Sequence, residues 1–197
     1  KEAANLEDDH ANFPWRKFPW QKAIIYFTRL MGSVHIGNID SAKAELQELN
    51  IIYDTLTKQK DAYKAGQVQI QIRTSEAWIQ LKEGNNNEAL RLMNIAADME
   101  DRTEKHPVTP GEVIPARELL GDILLQMNQA DKALKAYEAV LKKSPNRFNG
   151  MYGAGLSAER SGKAAMAKLY YTQLVNISNA NSNRPELKKI KVYLMGH

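Results

Sequence analysis

IPARELLGDILLQMNQADKALKAYEAVLKKSPNR, residues 114–147, is followed directly by a second stretch of the same design, residues 148–181. Gly121, Ala133 and Tyr137 of the first return as Gly155, Ala167 and Tyr171 of the second, each 34 residues later. A period of about 34 residues is that of a helix–turn–helix unit that cannot bury its apolar face alone and stacks on its neighbours. Within the first stretch, Gly121 is a small residue mid-way along one helix, where a second helix can come close. Asn128 ends that helix, because Asn tolerates the left-handed conformation of a tight turn. Ala133 is a small contact on the second helix, Tyr137 a bulky core residue one turn later, and Pro145 stops the unit. The second stretch ends on Asn179 instead of a proline.

The pattern continues upstream in looser form. Gly84 precedes Ala89 by five residues and Gly37 precedes Ala42 by five, as Asn128 precedes Ala133 and Gly162 precedes Ala167. The intervals between the alanines are 47 (42 to 89), 44 (89 to 133) and 34 (133 to 167), so the first two units carry longer helices or inserted loops. Before the third unit, HPVTPGEVIP holds Pro107, Pro110 and Pro115; it reads as an extended connection, with Pro115 at the first turn of the next helix.

Hydrophobic spacing predicts nine helices over 19–37, 39–58, 61–84, 86–102, 115–128, 130–143, 147–161, 163–178 and 185–194. Ile24, Phe27, Leu30, Met31 and Val34 keep the three-and-four rhythm of a helix, as do Leu187, Ile190 and Leu194. No window alternates as a strand. The expected fold is all-α: a right-handed superhelix of antiparallel helix pairs with units over about 23–60, 64–103, 114–147 and 148–181. Residues 1–19 form an extended aromatic segment before it, and the last helix caps its apolar end.

Composition narrows the function. The chain of 197 residues has no cysteine, which removes disulfides, thiol catalysis and thiolate metal sites. No apolar run approaches the roughly 18–20 residues of a membrane span. Net charge is +4, of which +3 falls after Asn181 (Arg184, Lys188, Lys189 and Lys191 against Glu186), so no basic stripe for nucleic acid runs through the fold. His10, His35, His106 and His197 are scattered without ligand spacing. Glu100, Asp101, Glu104 and His106 cluster near a helix end, where a solvated terminus is a simpler reading than a cation site. No phosphate loop, nucleophile elbow or HExxH occurs, so neither catalysis nor a cofactor is expected. The opening KEAANLEDDHAN has no signal-peptide core and no initiating methionine, which reads as a processed or excised chain and leaves the compartment open.

Leu120-Gly121, Ala133, Tyr137 and Pro145, repeated in Gly155, Ala167 and Tyr171, resemble the consensus of the tetratricopeptide repeat (TPR) family. With FPWRKFPWQKAIIYF near the start and SPNRFNGMYGAG at the last junction, nearly the whole chain is similar to the C-terminal half of larger bacterial TPR proteins of undefined function. That resemblance implies a missing upstream region and an extracytoplasmic home, and no reaction. It implies a non-catalytic scaffold that binds a protein or peptide along a concave groove lined by the first helix of each unit. Carried onto this chain, the groove positions are Ile24, Phe27, Met31, Val34 and His35, then Gln71, Thr74, Trp78, Leu81 and Lys82. The third unit supplies Glu118, Asp122 and Gln126, and the fourth Asn149, Tyr152, Glu159 and Arg160. TPR domains that clamp a terminal carboxylate place Lys and Asn where this chain has Phe27/Met31, Thr74/Trp78, Glu118/Asp122 and Tyr152/Leu156, so that function is not expected.

Two readings stay open at the charged positions. Arg117, Glu118, Asp122 and Arg147 form either an ion-pair network locking the last two units together, or a surface that takes a partner's basic group. Trp78 is either core or an exposed anchor. Asn146, Arg147, Asn149 and Tyr152 suit a peptide backbone or a polar ligand. The segment of residues 13–20, with two FPW copies, is a lid on the first helix pair, a linker to upstream repeats, or a stacking strip. The binding candidates are thus Trp78, Glu118, Asp122, Gln126, Arg147, Asn149, Tyr152 and Arg160. The alternative to a binding scaffold is a structural module that completes a longer solenoid or self-associates, or an accessory domain of an enzyme.

Overall fold

The computed structural model describes residues 1–7, 13–104, 114–179 and 182–196. The expected extended connection around Pro107 and Pro110 lies outside them, as do His10, His106 and His197. Among the described residues the chain is all-helical, with nine α-helices and no strand. These are α1 (Pro19–Ile36), α2 (Ile39–Lys58), α3 (Ala62–Lys82), α4 (Asn86–Arg102), α5 (Ala116–Gln126), α6 (Ala130–Lys143), α7 (Phe148–Arg160), α8 (Ala164–Ile177) and α9 (Pro185–Gly196). Each expected helix is present, with ends moved by at most two residues, as fraying ends usually are.

The turns show why the pairs form. Gly37, Gly84, Asn128 and Gly162 have φ of 83°, 84°, 58° and 74°. Each of these left-handed residues reverses the chain at the end of a first helix, a conformation that glycine and asparagine adopt at least cost. Five residues on, Ala42, Ala89, Ala133 and Ala167 are each 0% exposed. A methyl group is all the space there allows, so the second helix lies close against the first. Asn38 and Asp61 cap α2 and α3 by accepting hydrogen bonds from the amides of Ser41 and Lys64, both at 3.1 Å.

The helices divide into two compact units, Lys1–Ala116 and Arg117–His197. In the first, α1 packs on α2 and α3, α2 on α3, and α3 on α4. Its core holds Leu30, Val34, Leu49, Val68, Trp78 and Met93, all 0–1% exposed. The Glu100 carboxylate accepts the Ala116 amide at 2.9 Å, closing the unit around the end of α4. The residues before α1 are less extended than expected. Residues 3–5 and 15–17 are 3-10 turns, and Phe13 gathers Trp15 (ring centroids 4.5 Å apart) and Phe18 (5.2 Å) into a small aromatic knot. Rings that share apolar area hold the prolines in a turn. Pro19 then serves as the first residue of α1, where its missing N–H is no loss.

In the second unit, α6 packs on α7, α7 on α8 and α8 on α9. Tyr137 explains the glycines of the repeat. A methyl at Gly121 would stand 2.6–2.9 Å from the Tyr137 ring, and one at Gly153 would overlap it, so α5 and α7 both yield space to that ring. Gly155 does the same for Tyr171. Leu187 and Ile190 bury α9 at 4% and 1% exposed, and Tyr193 meets Tyr171 edge-on at 5.1 Å. No helix among the described residues is long and apolar enough to cross a membrane.

Candidate functional site

The candidate residues of the second unit lie on α5 and α7, and α7 is tied to α5 at both of its ends. At one end the Arg147 guanidinium donates to both oxygens of Glu118, at 2.5 Å (Nε to Oε2) and 3.1 Å (Nη2 to Oε1). Asn149 adds its amide to Glu118 Oε1 at 3.3 Å. At the other end Arg160 donates to the Leu125 carbonyl at 3.4 Å. The Glu118 side chain is 3% exposed and that of Arg147 28%, so the fork-to-fork pair is shielded and charge-assisted.

Asp122, one turn after Glu118, accepts the Tyr137 hydroxyl at 2.6 Å. Burial pushes its carboxyl up to about 6, against the lowering by the Tyr137 hydrogen bond and with the Glu118 charge adding to the rise. Burial also pushes the Tyr137 hydroxyl far above its ordinary range. The motif recurs one unit on, where the Tyr171 hydroxyl donates to Glu159 at 2.7 Å.

Of the two readings of the charged positions, the geometry matches the lock for Glu118 and Arg147. The basic group that Glu118 accepts is the chain's own Arg147. Asp122 departs from that reading, because its partner is a tyrosine hydroxyl and not an arginine. Gln126, Asn149 and Arg160 are exposed and Tyr152 is half-buried, so these four candidates reach solvent on α5 and α7, beside the exposed Glu159. Burial raises the Tyr152 hydroxyl, helped by Glu186 and Glu159. Nearby, the Arg184 guanidinium lies 4.2 Å from the centre of the Phe148 ring.

In the first unit the expected lining is largely core. Trp78 is 1% exposed and stacked on His35 with centroids 4.9 Å apart, so it anchors the unit and is no surface anchor. Phe27, Met31, Val34 and Thr74 are likewise 0–6% exposed. The reason is that α1 lies against α3, and the apolar positions of these two first helices cover one another. Of that set only His35 and Lys82 are exposed. Gln71 and Thr74 line a small cavity with Phe27, Gln67, Glu100 and Ile114.

Sequence reading missed a cleft of about 510 Å³ between the second helices and α7, lined by Glu138, Leu141, Pro145, Met151, Tyr170 and Gln173. The Tyr170 hydroxyl donates to Glu138 at 3.0 Å across it, and Lys163 pairs with Asp131 at 2.7 Å. Both pairs span about one repeat period, 32 residues apart in each case, which is the one signal that could have suggested them. Among the described residues no group of three His, Cys, Asp or Glu could hold a metal ion.

No curated protein is significantly similar in sequence to the chain. Residues 116–147, the stretch that spans α5, α6 and the Arg147 lock, match the tetratricopeptide repeat family. Residues 116–147 therefore carry a tetratricopeptide repeat, and the all-helical architecture of the described residues agrees with a repeat of that kind.

Proposed function

We propose that this protein is a non-catalytic scaffold, and that its second unit binds a protein or peptide segment along α5 and α7 through Gln126, Asn149, Tyr152 and Arg160. TPR repeats in general serve protein interaction. The observation that carries the narrower reading is the double tether of α7 to α5, which holds these four side chains on a preorganised surface. Little ordering entropy is then lost by the host on binding. Tyr152 supplies aromatic area, Asn149 and Gln126 planar hydrogen-bonding groups, and Arg160 a donor fork. Together they suit an extended backbone carrying acceptor groups more than a basic side chain, since Glu118 is already engaged. In this reading the four repeats span about residues 23–60, 64–103, 114–147 and 148–181.

Selection of a random peptide library on the 197-residue chain tests it. Enriched peptides should lose binding at least about tenfold, on the order of 1.4 kcal/mol, in the double variant Gln126→Ala, Tyr152→Ala, with helicity and melting unchanged. Binding that survives both substitutions moves the site elsewhere, the Tyr170 cleft being the next place to look. A second reading, self-association, rests on Val192 (72% exposed) and Met195 (86%) on the outer side of α9. A concentration-dependent mass in light scattering that disappears in Val192→Ser, Met195→Ser would support it.

A further inference from the structure

We propose that α1 carries a docking surface around Gly32 and Arg29 whose occupant is the chain's own segment of residues 3–6, held mainly by its backbone. This goes beyond the binding role of the second unit and concerns the first unit alone.

The repeat register identifies the surface. Gly150 and Gly153 lie 17 and 14 residues before Ala167, and both face α6: a methyl at Gly150 would stand 3.1 Å from Leu141, and one at Gly153 would overlap Tyr137. That face of a first helix is therefore the one on which the preceding second helix packs. The same positions in α1, counted from Ala42, are Ile25 and Thr28, with Gly32 one turn on in register with the buried Ser157. In α3 the corresponding Ile72, Ser75 and Ile79 are 0–5% exposed, and α3 packs on α2. Among the described residues no α-helix precedes α1. The 3-10 turn Ala3–Asn5 packs there in its place.

The fit is specific at one residue. A methyl on Gly32 would overlap the Ala4 amide nitrogen and lie 2.7 Å from the Ala3 carbonyl carbon and 2.8 Å from the Ala4 Cα. All three are backbone atoms, which cannot swing aside as a side-chain tip can. Arg29 clamps the same segment by donating from Nε to the Leu6 carbonyl at 2.5 Å. Leu6 itself is 41% exposed, so no large apolar side chain anchors the segment. The surface thus takes a stretch with two successive small residues, recognised by main-chain approach to a glycine and by one arginine on a carbonyl.

Glycine in the middle of a helix is normally a weakness relative to alanine. Gly66 of α3 provides the control, since a methyl there meets nothing within 4 Å. Gly66→Ala should raise Tm, whereas Gly32→Ala should lower it or leave it flat, because the gain in helix is offset by expulsion of the segment. The absence of native cysteine permits a direct readout. A nitroxide on Asn5→Cys should broaden the amide resonances of residues 28–33, and Gly32→Ala should abolish that broadening with α1 intact. The inference is overturned if the label leaves those resonances sharp in the parent chain, or if broadening and a raised Tm both persist in Gly32→Ala. Broadening of an unlabelled isotope-enriched chain by a separate labelled one would also overturn it, assigning the surface to a second copy.

Discussion

Asp122 is the residue through which pH acts on the second unit. Its carboxyl is raised to about 6 in the folded chain from an ordinary value of 3.8, first by burial and then by the Glu118 charge. A folded-state value above the unfolded one means that the native protein holds the proton more tightly between these two pH values. The stabilisation tied to the neutral acid is therefore complete below about pH 4. It is lost as pH rises through about 6. Asp122→Asn keeps an acceptor for the Tyr137 hydroxyl and removes the charge. It should raise stability at pH 7.5 by roughly 1–2 kcal/mol and do little at pH 4, which urea unfolding at the two pH values would check. Equal effects at both would show that Asp122 acts through packing alone.

At the scale of the element, α7 is held by one shielded ion pair at its start and by one arginine on a carbonyl at its end. The two ties differ in worth. Removing the Arg147 side chain leaves Glu118 buried without its cation, and losing one partner of a buried pair costs about 3–5 kcal/mol. Arg147→Ala should thus destabilise by about 3 kcal/mol, since Arg147 is partly exposed and water can reach what remains. In Glu118→Gln, Arg147→Ala the loss should shrink by at least about 1 kcal/mol, a coupling that a double-mutant cycle measures. Additive losses would mean that the two side chains matter separately. The same argument rules out reversing Glu118 to lysine as a probe of binding, because the change would unfold the site before testing it.

The helices themselves were legible in the sequence because each level of it agrees. The left-handed residues Gly37, Gly84, Asn128 and Gly162 and the alanines five places on give turn and close contact together. What escaped reading depends on which side of a helix is covered. Trp78 and Met31 have the spacing of groove residues, yet α1 and α3 cover them. Spacing fixes the face of a helix but says nothing of what lies against it. Charge alone groups Asp122 with the arginines around it or with a partner's basic group, whereas its donor is a hydroxyl 15 residues on. Gly32 carries no signal of its own in a helical run, and its role depends on a segment nearly thirty residues away.

For the chain as a whole, a run of repeats that ends without a cover exposes the face that another repeat would bury. At the C-terminal end α9 supplies the cover: Leu187 and Ile190 are buried, and Tyr193 closes over Tyr171. The outer side of the same helix, with Val192 and Met195, bears on solvent and contributes little to the fold. Ile190→Asp places a charge in a site that is 1% exposed, and α9 should detach before it accepts that charge unpaired. The freed surface of α8, with Tyr171 and Leu174 at its centre, would then be an apolar patch of the kind that drives association. The expected outcome is loss of α9 protection in hydrogen exchange while α5–α8 keep theirs, together with growth in mass by light scattering at rising concentration. Val192→Ser on the outer side should change stability by no more than about 0.5 kcal/mol. If Ile190→Asp stayed monomeric with α9 protected, the last helix would owe its place to its ends, through Arg184 on the Phe148 ring, and not to its buried face.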